Sequence, residues 1–248
     1  MCNKFVKMEN KMKKLKITIL NGSLRKDGVT MNKISKIINL INLYLEKNDI
    51  DLDVHQIDLS KKNILDCQGC EFCFFNGKCA IDDNMVYIQK ELKWADIIIV
   101  GSPVYLNHIT GSLKKVLDRI SYWAHIMPLL GKRGIVVVTA SQSGLSETKN
   151  YLIDIFSHFG LSIDFSLEYN RFFNKNSMTD RELEDEIKKS LKLTLYSRNK
   201  LSYKVNEIFR FYRTYFIDNK ELLYENFEYN YWKNKGYLET ENLKGGEE

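Results

Sequence analysis

Residues 96–103 read Asp-Ile-Ile-Ile-Val-Gly-Ser-Pro, an unbroken β-branched run stopped by a turn. A strand with no polar alternation is covered on both faces, as strands of parallel sheets are. Residues 15–20 (LKITIL) and 134–140 (GIVVVTA) have the same character on either side of it. Between these runs lie helical patterns. Thr30 is placed to cap a helix from Met31 to about Lys47, with Ile34, Ile37, Ile38, Ile41 and Leu45 at helical spacing. Asn84 to Trp94 follows Asp82-Asp83, residues 111–122 carry Leu113, Val116, Leu117 and Ile120 on one face, and residues 146–159 end at Gly160. Leu52, Val54 and Ile57 mark a second strand and residues 162–167 a fifth. Strand–helix alternation of this kind defines an α/β protein. Five parallel strands suit the doubly wound order 2-1-3-4-5, in which ligands lie beyond the carboxyl ends of the strands. Those ends are residues 21–30, 101–110 and 140–144, all rich in Gly, Ser and Thr.

Composition agrees with a globular chain. Of 248 residues, 44% are hydrophobic and 28% charged, with only two prolines, which excludes a disordered or Pro-rich protein. The net charge of +5 is localised: residues 1–16 hold six lysines against Glu9, so the remainder balances to zero. The basic excess reads as a solvated arm over residues 1–14, not as a nucleic-acid-binding face. That arm has no apolar segment after its charges, and no run reaches the 18 apolar residues of a membrane helix. The expectation is a soluble, cytoplasmic protein with neither nucleic-acid nor membrane partners. Beyond about Asn170 the chain changes: residues 180–204 are densely charged and residues 209–237 crowded with aromatic rings. Most of those rings are expected to pack on the core, and so many also suggest a subunit interface.

The loop Asn21-Gly22-Ser23-Leu24-Arg25-Lys26-Asp27-Gly28-Val29-Thr30 joins a strand to a helix. Backbone N–H groups and the helix dipole favour a phosphate at such a junction. Ser23 and Thr30 add hydroxyls, and Arg25 a forked charged donor. The alternative is a plain Gly/Ser turn with a solvated arginine. A Walker A loop needs Gly-Lys-Ser/Thr where this chain has Gly28-Val29-Thr30, and the dinucleotide fingerprint lacks its glycines, so a single terminal phosphate remains. The loop after the third strand, residues 101–112, brings Pro103, Val104, Tyr105 and Asn107 to the switch point, suited to a planar heterocycle. His108 in that loop reads as a surface residue. Ser141 and Gly144 close the pocket from the fourth strand.

Cys67, Cys70, Cys73 and Cys79 form C-x2-C-x2-C-x5-C within thirteen residues; Cys2 lies in the arm. The compact spacing suits a cubane [4Fe–4S] cluster. Zinc, which prefers two separated pairs, ranks second, and disulfides rank low in a reducing compartment. Unligated, buried thiols are the plain alternative.

The segments GSLRKDGVT (22–30) and SPVYLNHITGSLKKVLDR (102–119), with the cysteine loop between them, resemble the NADPH-dependent FMN reductase-like flavoproteins, most of all their iron–sulfur flavoprotein branch. The match covers about residues 15–170, and FEYNYWKNKGYL (227–238) is similar to that branch's C-terminal end. The resemblance implies a flavodoxin-like fold with non-covalent FMN, its phosphate at Ser23, Arg25 and Thr30 and its isoalloxazine against Pro103, Val104, Tyr105 and Asn107, with Gly28 among the cofactor-binding residues. It divides the chain into the arm, an FMN-binding domain at 15–170 with a cysteine loop at 66–83, and an extension at 171–248 packed on the core or a partner subunit. Leu24 stands where the family has proline and Val29 where it has asparagine, which removes one side-chain amide from the phosphate site. The implied activity is an FMN-dependent oxidoreductase. Its chemistry resides on the flavin with no catalytic side chain. NAD(P)H serves as transient co-substrate, and a small-molecule acceptor or a ferredoxin receives the electrons. A homodimer or homotetramer is expected. Two other readings stand beside it: a flavodoxin-type carrier or redox sensor, and a cysteine-based metal module on a flavin-free scaffold. Carriers are usually small and acidic, whereas this chain is longer and near neutral beyond its arm.

Overall fold

The computed structural model describes residues 14–197 and 200–240. The basic arm therefore lies outside the described residues, apart from Lys14, which already belongs to the first strand. The parallel strands are β1 (Lys14–Asn21), β2 (Asp51–Ile57), β3 (Ile97–Pro103), β4 (Arg133–Ala140) and β5 (Ser162–Asn170). Their order is 2-1-3-4-5, the expected flavodoxin-like winding. The sheet has six strands, not the five expected: β6 (Lys175–Asn176) turns back antiparallel on β5. Two residues are too few to show a periodicity, and the turn is local, with Asn174 in the left-handed region (φ 47°) and its Oδ1 accepting from the Tyr169 hydroxyl at 2.8 Å.

Helices between the strands are α1 (Val29–Glu46), α2 (Phe72–Asn76), α3 (Met85–Trp94), α4 (Gly111–Arg119), α5 (Trp123–Ile126) and α6 (Leu145–His158). After the sheet come α7 (Asp180–Tyr196), α8 (Tyr203–Asp218), α9 (Lys220–Leu223) and α10 (Phe227–Asn234). Residues 111–122, expected as one helix, break after Arg119 and resume as α5.

Successive strand residues face opposite sides. Ile97 and Ile99, with Ile17, Ile19, Ile135 and Val137, pack under α1 and α7; Ile98 and Val100, with Leu20, Val136 and Val138, pack under α3, α4 and α6. Each such side chain stabilises the fold by about 1.5–3 kcal/mol on full burial, which explains why the central strands carry no polar alternation. A third cluster lies off the sheet: Phe209 and Phe216 of α8 meet Tyr229 and Trp232 of α10 over Met127. Trp232 Nε1 donates to the His125 carbonyl at 2.8 Å, and Glu228 pairs with His125 Nδ1 at 2.8 Å. Phe209, Phe216, Tyr229 and Trp232 are buried in this cluster, whereas Phe211, Tyr215 and Tyr224 are exposed.

Candidate functional site

The carboxyl ends of β1, β3, β4 and β5 open on a cavity of about 310 Å³, within the range of small-ligand sites. From the first loop it is lined by Ser23, Arg25, Gly28, Val29 and Thr30; from the second by Pro103, Val104 and Tyr105; from the third by Thr139, Ala140 and Ser141. Arg171, just past β5, completes the wall.

The first loop is held by short local bonds. Asn21 Oδ1 accepts from the Ser23 N–H at 3.0 Å, and Ser23 Oγ accepts from the Arg25 N–H at 3.2 Å. Gly22 donates to the Gly101 carbonyl at 2.7 Å, while Thr110 and Ser112 hydroxyls donate to the Gly22 carbonyl at 2.8 and 3.0 Å. A Cβ on Gly22 would stand 2.8 Å from Thr110 Oγ1 and 3.0 Å from Leu113 Cβ. Glycine is what lets the loop lie against α4.

Helix α1 begins two residues earlier than expected. Gly28, not Thr30, is its N-cap, with extended backbone and no side-chain cap. Thr30 falls in the first turn, buried, with its hydroxyl 2.7 Å from that of Thr139. The first-turn N–H groups have no side-chain cap, the first turn carries no acid, and no carboxylate lines the cavity among the described residues. Arg25 and Arg171 add positive charge, so the site is built for an anion.

The second loop is a two-residue hairpin. Tyr105 and His108 exchange backbone bonds at 2.8 and 3.1 Å, and Leu106 and Asn107 at its tip both have positive φ (45° and 64°), as type I′ turns require. The turn carries Asn107 away from the cavity wall. Its Oδ1 would lie 2.7 Å from a Cβ on Gly144, itself in the left-handed region at φ 84°. Asn107 and Gly144 therefore pack on each other beside the cavity. His108 is exposed and packs edge-on against Tyr151 at 4.4 Å.

Sequence reasoning missed Arg171 and Thr139. The rule that ligands lie at strand carboxyl ends would have found both had it been extended to the last two residues of β4 and the first after β5.

The cysteine segment runs over α2. Cys67 and Cys70 are exposed, Cys73 and Cys79 half-buried, and none is in a disulfide. Burial pushes the Cys73 thiol up, and the thiols of Cys79, Cys67 and Cys70 push it the same way. Among the described residues no three His, Cys, Asp or Glu side chains close on a point as ligands of one ion must. Four soft thiols within thirteen residues have the donor chemistry of an iron–sulfur site. The ring of Phe227 in α10 lies on Gly77, leaving only 2.1 Å to where a Cβ would be. Gly77, at φ 66°, both turns the segment and admits that ring.

A doubly wound α/β sheet with an uncapped helix start at its switch point defines a mononucleotide-binding protein of flavodoxin type. Residues 15–164 match the model of the family NADPH-dependent FMN reductase. The chain belongs to that family and, within it, to the iron–sulfur flavoprotein branch. An iron–sulfur flavoprotein of Clostridioides difficile is 32% identical over 73% of this chain and 78% of its own length. One of Methanocaldococcus jannaschii is 34% identical over 54% of this chain and 67% of its own. Among solved structures, an NADH:FMN oxidoreductase in its apo form shares the fold with TM-score 0.52 at 18% identity, covering 74% of this chain and 91% of its own. An FMN-dependent NADH-azoreductase of Bacillus anthracis does so with TM-score 0.50 at 13% identity, covering 73% and 97%. The protein is an FMN-dependent oxidoreductase of this family. No helix among the described residues is long and apolar enough to cross a membrane.

Proposed function

We propose that the cavity holds FMN and that the protein transfers electrons between NAD(P)H and a small acceptor or redox partner. The observation that carries the reading is the uncapped, acid-free start of α1 opening into a cavity that also holds two arginines. First-turn N–H groups of α1, Ser23 and Arg25 would hold the phosphate, with Arg171 facing it from the β5 end. Gly28 keeps the approach open. Pro103, Val104 and Tyr105 form an apolar wall for the ring, and Ser141 gives that wall a polar edge. Thr30, through Thr139, ties the helix start to β4 and fixes the cradle. FMN bound there supplies hydride acceptance and electron release. The side chains orient and shield it, and none is needed as acid or base.

Titration with FMN tests the site. Val29→Glu puts a carboxylate beside the phosphate position, where unit charges about 4 Å apart repel by about 4 kcal/mol at an effective dielectric near 20. FMN affinity is expected to fall roughly a thousandfold, while the apoprotein gains slightly in stability because an acid suits a helix start. Arg25→Ala should cost less, about 1.5–3 kcal/mol for one charged hydrogen bond. Val29→Glu protein that binds FMN as tightly as wild type would remove the phosphate assignment. Oxidation of NADH and NADPH by the FMN-loaded protein tests the donor.

The four closely spaced cysteines, together with relatives named iron–sulfur flavoproteins, support a second element. Cys67, Cys70, Cys73 and Cys79 would hold a [4Fe–4S] cluster, which supplies one-electron transfer and makes a ferredoxin an alternative partner. Cys70→Ala is expected to abolish iron and acid-labile sulfide in anaerobically purified protein while leaving FMN content intact. Unchanged iron would reject the cluster. The cytoplasm and a homodimer or homotetramer remain part of this reading, with native mass as the check on assembly.

A further inference from the structure

Residues 170–176, Asn-Arg-Phe-Phe-Asn-Lys-Asn, carry two positive charges and no acid. They turn β5 back into β6, and they leave Phe172 and Phe173 70% and 69% exposed. That exposure sits on a braced backbone. The Arg171 N–H donates to the Ala140 carbonyl at 2.8 Å and the Phe172 N–H to the Ser141 carbonyl at 3.1 Å. Asn170 Nδ2 donates to the Gln142 carbonyl at 2.9 Å, and Asn170 Oδ1 accepts from the Phe173 N–H at 3.2 Å. The turn is thus fastened to the third loop, whose Ala140 and Ser141 line the cavity. The two rings pack edge to face, centroids 5.0 Å apart at 88°, an arrangement that leaves an aromatic face open to solvent.

The strand order puts β4 between β3 and β5. The apolar wall of Pro103, Val104 and Tyr105 and the Phe172–Phe173 pair therefore lie on opposite sides of the third loop. A one-ring acceptor lying on the flavin needs only the wall. A ligand that uses both must carry two planar groups, and the link between them must be anionic. Arg171 lines the cavity and Lys175 follows it in β6, while the acids of β5 are engaged elsewhere, Glu168 with Lys149 at 2.8 Å and Asp164 with Arg133. A nicotinamide dinucleotide has this form, two planar bases joined through a pyrophosphate.

We propose that the Phe172–Phe173 turn is the adenine subsite for the NAD(P)H donor, one ring stacking on the base while Lys175 faces the pyrophosphate. Arg171 remains with the FMN phosphate. The inference rests on the donor reading above. Stacking on an aromatic side chain suits any base, because every base has a π-face, and one such stack changes affinity about 5–150-fold.

The test uses FMN-loaded protein with NADH, NADPH and reduced nicotinamide mononucleotide, which lacks the adenylate half. Wild type should favour the dinucleotides in kcat/KM by about that factor, and Phe172→Ser/Phe173→Ser should lose the preference through KM. A merely structural role would lower kcat/KM for every donor together and leave the ratio in place, which overturns the subsite. Calorimetric titration of ADP-ribose into FMN-loaded wild type needs no turnover. Binding is expected there and should weaken by the same factor in the double variant; no binding to wild type overturns the subsite. A preference that survives in the double variant while its native mass falls gives the rings to a subunit contact instead. Wild type that oxidises none of the donors overturns the donor reading and the inference with it, whereas equal use of dinucleotide and mononucleotide overturns the inference alone.

Discussion

Asp83→Ala is expected to destabilise the protein by about 3–5 kcal/mol, because it leaves the fully buried guanidinium of its partner Arg119 uncompensated. The urea midpoint should fall with little change in slope. The loss has a pH signature. Burial pushes the Asp83 carboxyl up, but the bonds from Arg119 and from the Leu65 and Met85 N–H groups outweigh it and hold the group below the ordinary carboxylate range. A carboxyl depressed on folding contributes its full stabilisation above its unfolded pKa, about 3.9, and loses it as the pH falls through the lower folded value. Wild type and Asp83→Ala should therefore differ most near neutrality and converge in acid below about pH 4. Parallel stability curves down to acid pH would show that the carboxylate contributes nothing.

Trp232→Ala is expected to cost about 3–5 kcal/mol, the range for emptying a buried indole site. The ring is fully buried, 4.9 Å from Phe209 and 5.4 Å from Phe216, and its Nε1–H is satisfied by the His125 carbonyl. The damage should be regional. Residues 203–240 should become sensitive to limited proteolysis while FMN stays bound, since the cavity takes no residue from them. Release of FMN in step with cleavage would mean that the two parts unfold as one.

The buried strands were legible because their chemistry is local. Ile97 to Val100 can satisfy their side chains only between two layers, and that alone announces a parallel sheet. Most of the cavity lining followed from strand ends and small residues. What was not legible depends on distant partners. Arg119 reads as the closing charge of an amphipathic helix, and only Asp83, 36 positions earlier, turns it inward. Thr30 has the composition of a cap, but Thr139 across the sheet takes its hydroxyl and leaves Gly28 to start the helix. Asn107, turned onto Gly144 by two consecutive left-handed residues, shows a packing partner that its own sequence neighbourhood does not announce. No local pattern announces that a ring 150 positions later will rest on Gly77.

That last contact orders events in time. A ribosome delivers residues 67–79 long before it delivers Phe227, so the thiols emerge onto a surface that still lacks its lid. The cysteine segment therefore takes its final seat only after residue 227 has been added.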